Sequence, residues 1–95
     1  MRIVESRLKG VKLIEPKAFG DNRGFFMESY NEKLFREYGI TDNFIQDNHS
    51  LSKEAGVLRG MHYQLSPKGQ TKLIRAATGA IYDVVVDMRK GSPTY

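Results

Sequence analysis

Ala80-Ile81-Tyr82-Asp83-Val84-Val85-Val86-Asp87-Met88 is the stretch that decides the fold class. Side chains of a strand alternate between its faces, so Tyr82, Val84, Val86 and Met88 oppose Ile81, Asp83, Val85 and Asp87. β-branched residues crowd both faces, and Thr78-Gly79 before and Arg89-Lys90-Gly91 after bound the run with turn residues. The carboxylate of Asp83 reads as a paired or strand-end group. Working backwards, Thr71 to Ala77 alternates Lys72, Ile74 and Ala76 against Leu73, Arg75 and Ala77. The turn Ser66-Pro67-Lys68-Gly69 precedes it, and before that turn lies Val57-Leu58-Arg59-Gly60-Met61-His62-Tyr63-Gln64. Lys53-Glu54-Ala55-Gly56 reads as a loop. Phe44 to Ser50 sets Phe44, Gln46, Asn48 and Ser50 against Ile45, Asp47 and His49.

The N-terminal part follows the same rhythm. Lys12 to Glu15 is a short strand ended by Pro16. Phe19-Gly20-Asp21-Asn22-Arg23-Gly24 is turn-rich, because glycine, Asp and Asn tolerate unusual backbone angles. Gly24 to Tyr30 reads as a strand with Phe26 and Glu28 on one side. One helix follows near 32–38: Asn31 caps it, Glu32 suits its first turn, Leu34, Phe35 and Tyr38 form its apolar stripe, and Gly39 stops it. Short strands with a turn signal every ten or so residues, plus one helix, predict an all-β sandwich or barrel forming a single domain over 1–95. A parallel α/β architecture needs more helices.

The composition is that of a globular domain, with 40% hydrophobic and 27% charged residues in 95. There is no cysteine, which excludes disulfides and thiolate chemistry and fits a reducing compartment. No apolar run approaches the roughly 20 residues of a membrane span, and Met1 to Glu5 lacks a signal-peptide core. A cytoplasmic protein with no membrane association is expected. The formal charge of +4 invites a nucleic-acid reading, but the cations are interspersed with acids and form no basic run. Arginines aimed at a diphosphate account for the excess equally well.

The chemistry-bearing residues concentrate around 57–64. His62 and Gln64 share a strand face. Arg59, three positions before His62, points oppositely unless Gly60 permits a bulge or kink. A lone strand histidine is more often structural than catalytic, yet an imidazole is the side chain best suited to proton transfer near neutrality. Arg23 and Arg59 offer forks for phosphate, and Gln46 and Asn48 offer donor and acceptor groups for a base edge. Lys72 can stabilise negative charge developing on an oxygen. For Arg23 and Lys72 the competing reading is a solvated surface charge. A metal site is not expected: His62 is followed two residues later by Gln64, and the other histidine, His49, is distant in sequence. No serine has the setting of a nucleophile.

Five blocks of the sequence then become recognisable: Asp21-Asn22-Arg23-Gly24-Phe25-Phe26-Met27-Glu28, Phe44-Ile45-Gln46-Asp47-Asn48, Leu58 to Gln64, Gln70-Thr71-Lys72-Leu73, and Asp83 to Arg89. Together with the ending Gly91-Ser92-Pro93-Thr94-Tyr95, they resemble the dTDP-4-dehydrorhamnose 3,5-epimerase family, covering the N-terminal portion of its domain. The resemblance implies a cupin-type jelly-roll β-barrel, a homodimer that exchanges N-terminal strands, and no cofactor or metal. It implies epimerisation of dTDP-4-dehydro-6-deoxy-D-glucose at C3 and C5, toward dTDP-L-rhamnose. His62 takes the place of the general base and Lys72 that of the enolate stabiliser. Arg59, Arg23, Glu28, Gln46, Asp47 and Asn48 take substrate-binding places, some across the dimer.

The family's catalytic tyrosine and the acid that orients its base fall beyond Tyr95, and Tyr63, Tyr82 and Tyr95 do not align with that tyrosine. Residues 1–95 alone are therefore expected to lack activity and to leave barrel edges unpaired. The rival readings are a sugar-nucleotide epimerase or isomerase acting at one carbon, and a non-catalytic nucleotide-sugar-binding β-domain.

Overall fold

A computed structural model describes all residues, 1–95. They divide into two units, Met1–Thr41 with Ile81–Tyr95, and Asp42–Ala80.

In the first unit, β1 (Arg2–Glu5) and β2 (Lys12–Glu15) pair antiparallel, with Arg2 opposite Glu15 and Ile3 opposite Ile14. Ile3 and Ile14 are half-buried on one face, while Val4 and Leu13 meet on the other and are exposed, the alternation a two-sided ribbon requires. The ribbon's charged end is closed by Arg2 Nε donating to Glu15 Oε2 at 2.9 Å. β3 (Ala18–Asp21) and β4 (Gly24–Met27) form a second antiparallel hairpin, Asp21 opposite Gly24, joined by Asn22-Arg23. From sequence alone Phe19 and Gly20 fall in a turn, and β1 is not marked as a strand. The turn proper is confined to Asn22-Arg23, and pairing with Phe25 and Phe26 draws Phe19 and Gly20 into a strand.

The helix α1 (Glu32–Glu37) matches its sequence signals. Asn31 Oδ1 accepts from the Leu34 N–H at 3.1 Å, an N-cap. At the other end the Gly39 N–H donates to Arg36 O (3.0 Å) and the Ile40 N–H to Phe35 O (2.8 Å), with Gly39 at φ +83. That pair of bonds is a Schellman motif, whose left-handed residue is glycine because a Cβ is disfavoured there. A six-residue helix is too short to persist unaided, so its packing matters. Tyr38 Oη donates to Met1 O at 2.9 Å and Lys12 Nζ to Tyr38 O at 3.1 Å, tying α1 to β1 and β2. Phe35 is the buried hydrophobic residue, 1% exposed, with Tyr30 edge-on to its ring at 4.7 Å between centroids.

The last segment of this unit is held by a carboxylate. Asp87, its side chain 3% exposed, accepts from Arg89 Nε (2.9 Å), Arg89 Nη2 (3.0 Å) and the Arg89 N–H (3.0 Å). Ser92 Oγ and Thr94 Oγ1 each donate to its Oδ2 at 2.6 Å. Arg89 Nη2 also donates to Lys9 O at 3.0 Å, in the loop between β1 and β2. The paired carboxylate expected at Asp83 is thus Asp87, four residues on, while Asp83 is exposed. Periodicity puts both on one face, and only the fold of 89–94 selects between them.

The Arg89 side chain, then the Ser92 and Thr94 hydroxyls, hold the Asp87 carboxyl far below the ordinary carboxylate range. Its folded pKa lies below its unfolded one, so its stabilisation is complete above the unfolded value and is lost as the pH falls below about 4. In a chain of full family length, Asp87→Asn is expected to lower Tm by about 5 °C at pH 7. The deficit relative to wild type should narrow at pH 3. Thermal unfolding at the two pH values measures it, and equal deficits would refute the linkage.

In the second unit, Asp42–Ala80, the predicted strands 44–50, 57–64 and 71–77 carry no sheet ladder; nor does 80–88. The ladders present are the two two-stranded sheets, which close no barrel. Alternation determines which side chains share a face, but a ladder also requires a neighbouring strand at about 4.8 Å offering its own N–H and C=O groups. Ile45 and Leu58 are accordingly 93% and 91% exposed. The turn at Ser66-Pro67 does form, with a cis Pro67 and the Lys68 N–H bonded to Leu65 O at 2.8 Å. No helix is long and apolar enough to cross a membrane.

Candidate functional site

Six of the eight sequence-selected residues lie in the second unit: Gln46, Asp47, Asn48, Arg59, His62 and Lys72. All six are exposed. Gln46 and Asn48 are brought together as their two-residue spacing predicts, Gln46 Nε2 donating to Asn48 Oδ1 at 3.2 Å. Both side chains are exposed, so their remaining polar groups are open to solvent.

Arg59 Nη2 donates to Ser52 Oγ at 3.3 Å, so the segment before 57–64 steadies the guanidinium. Ser52 carried no sequence signal, since a hydroxyl seven residues away can be matched to Arg59 only in three dimensions. Gly60 has φ +120, a conformation open to glycine and strained for other residues. This is the break in strand alternation on which the relation of Arg59 to His62 depends. A Cβ added at Gly60 would lie 3.9 Å from both His62 N and His62 Nδ1, so the imidazole sits over that bend. His62 and Lys72 are not hydrogen-bonded to each other. Beside Lys72, Thr71 Oγ1 donates to Asp42 Oδ1 at 2.9 Å, fastening the backbone that carries the lysine.

Arg23 and Glu28 belong to the first unit. Arg23 is held in the β3–β4 turn by Asp21, with Nη2 to Oδ2 at 2.7 Å and the backbone N–H to Oδ1 at 2.9 Å. The Arg23 side chain, then its backbone N–H, keeps the Asp21 carboxyl below its usual range. Glu28 Oε1 accepts from Asn31 Nδ2 at 3.0 Å, so it also braces the cap of α1. Glu28 lines a cavity of about 280 Å³ with Met1, Lys17, Phe19, Phe26 and Leu34. A second cavity of about 270 Å³ is lined by Phe19, Asp21, Arg23, Gly24, Phe25 and Phe26.

Guanidinium forks, paired amides, an ammonium and an imidazole are side-chain types suited to one broad class of proteins, those that bind organic anions and transfer protons. Comparison with known proteins narrows the class. The family model described as dTDP-4-dehydrorhamnose 3,5-epimerase matches residues 5–95, and the chain belongs to that family.

It is similar to the dTDP-4-dehydrorhamnose 3,5-epimerase of Shigella flexneri, with 53% identity over 96 residues, covering 100% of this chain and 52% of the relative. The protein of that name from Methanothermobacter thermautotrophicus is 49% identical over 94 residues, covering 99% of this chain and 50% of the relative. The crystal structure of dTDP-4-dehydrorhamnose 3,5-epimerase from Bacillus anthracis str. Ames with TDP and PPi bound superposes with a TM-score of 0.94 at 55% identity. That match covers 99% of this chain and 54% of the solved one. The chain spans about half the length of the curated relatives it matches.

Proposed function

We propose that this chain supplies the N-terminal part of an epimerase that inverts C3 and C5 of dTDP-4-dehydro-6-deoxy-D-glucose, toward dTDP-L-rhamnose. The observation that carries the proposal is the agreement, at 55% identity and a TM-score of 0.94 across 99% of the chain, with an epimerase holding TDP and PPi. The reaction runs by proton abstraction beside the C4 ketone. That carbonyl acidifies the C–H bonds at C3 and C5, and His62 removes each proton as general base. The Lys72 ammonium meets the enolate oxygen that develops at C4. Arg59 and Arg23 take the diphosphate, and Glu28, Gln46, Asp47 and Asn48 hold the nucleoside. Inversion requires reprotonation from the opposite face, by an acid supplied from outside residues 1–95. Those residues alone are expected to leave both centres uninverted.

The full domain in this reading is a cupin-type jelly roll, homodimeric and cytoplasmic. In it the extended stretches of 42–88 acquire strand partners, which would account for their exposed apolar side chains. The chemistry calls for no cofactor and no metal.

The test is incubation of the substrate with a chain of full family length in deuterium oxide. Label at C3 and C5, with inversion at both, is expected. Label and inversion at one carbon would replace this reading with a single-carbon epimerase. Affinity for dTDP without any exchange would replace it with a binding domain.

A further inference from the structure

We propose that Asp21 is a positioning residue for anion binding: it holds the Arg23 guanidinium by one edge so that the opposite edge is presented to a nucleoside diphosphate. The proposal rests on the reading of Arg23 as a diphosphate ligand and adds a residue to that site.

The geometry begins in the β3–β4 hairpin, where Asn22 and Arg23 make the connection between Asp21 and Gly24. Asp21 Oδ1 accepts from the Arg23 backbone N–H at 2.9 Å, a local bond that organises the turn. The same carboxylate then reaches the side chain. Arg23 Nε lies 3.2 Å from Oδ2 and 3.5 Å from Oδ1, and Nη2 lies 2.7 Å from Oδ2. Of the five N–H groups of a guanidinium, these bonds engage the Nε one and one on Nη2. The other Nη2 hydrogen and both on Nη1 remain; one from each nitrogen forms the outer fork, the edge that matches two oxygens of a phosphate.

Stability does not explain the arrangement. The Arg23 side chain is 91% exposed, and exposed ion pairs contribute little to folding because water screens them and ordering two side chains opposes them. What the pair does supply is a restricted orientation for a long cation beside the cavity that Arg23 lines with Phe19, Phe25 and Phe26. Binding then costs less side-chain ordering. The Asp21 charge works against an incoming phosphate. That repulsion acts through water at this exposed turn and is screened there, whereas the bonds that set the orientation are direct.

The experiment measures dTDP and thymidine affinities by calorimetry for a chain of full family length and its D21A, D21N, R23A and D21A/R23A variants. Asp21→Asn keeps an oxygen for the turn bond but loses the two-oxygen grip on the guanidinium. It and Asp21→Ala are both expected to weaken dTDP by about two- to tenfold with thymidine unchanged. In the R23A background the effect of D21A should vanish. A loss of thymidine and dTDP affinity together would make Asp21 a merely structural turn residue. Tighter dTDP binding by D21A would make it a competitor for Arg23. Unchanged dTDP affinity in D21A while R23A weakens it would overturn the role of Asp21 alone. If R23A leaves dTDP affinity unchanged, or the unsubstituted chain does not bind dTDP, the reading of Arg23 fails and this inference with it.

Discussion

Replacing His62 with alanine in a chain of full family length is expected to lower epimerisation by about 10²- to 10⁴-fold. Among the eight candidate residues His62 alone offers a neutral nitrogen base, since Lys72 and the arginines serve as cations and the amides do not take up protons. Gln64, which strand alternation places on the same face, offers only an amide, and Lys72 is not bonded to the ring. The imidazole lies over the bend at Gly60, with φ +120, and makes no hydrogen bond to a binding residue. The variant should therefore retain affinity for dTDP while losing deuterium incorporation at both carbons. Label persisting at either carbon at the wild-type rate would remove His62 from that proton transfer. Loss of dTDP affinity in parallel would show that the imidazole had been holding ligand.

The largest loss of stability is expected from Phe35→Ala, at about 3–5 kcal/mol. Phe35 is 1% exposed, so the substitution removes a whole ring from the packed part of the first unit. It also removes the edge-to-face contact with Tyr30, which contributes about 0.5–1.5 kcal/mol beyond area burial. Collapse of the site is limited, because the Phe35 carbonyl accepts from Tyr38 and Ile40 and the backbone is fixed there by the helix end. Chemical denaturation of the full-length chain gives the value. Glu37→Ala, on the exposed side of α1, should stay within about 0.5 kcal/mol. Comparable small losses in both variants would mean that α1 is not anchored through Phe35.

Features set by short-range interactions are legible in the sequence, and those set by longer-range ones are not. Asn31 as cap and Gly39 as stop were legible because both act within a few residues: a side-chain oxygen reaching Leu34, and a backbone angle that glycine tolerates. The turn at Ser66-Pro67 and the side-by-side placement of Gln46 and Asn48 were legible for the same reason. So was the family, whose blocks stand intact in the sequence.

Other features needed the fold. The β-branched pair Ile3-Val4 is too short a run to mark a strand by itself, and Arg2–Glu5 is a strand because Lys12–Glu15 lies against it. Phe19, Gly20 and Asp21 read as turn and pair within β3 for the same reason. Ser52 beside Arg59, and Asp87 rather than Asp83 as the gripped carboxylate, depend on where the chain returns after leaving each residue.

By itself, then, the sequence determined the helix and its two ends, the turns, the candidate residues and the family. The tertiary structure alone decided which strands are paired, which carboxylate Arg89 holds and how Arg23 and Arg59 are steadied. The physical reason is that capping, turn formation and alternation are settled within a few covalent links. Ladders instead require a second segment to arrive alongside, and even the short-range pairs Asp21–Arg23 and Asp87–Arg89 depend on how the adjoining turn folds the chain back, which local preferences alone do not specify.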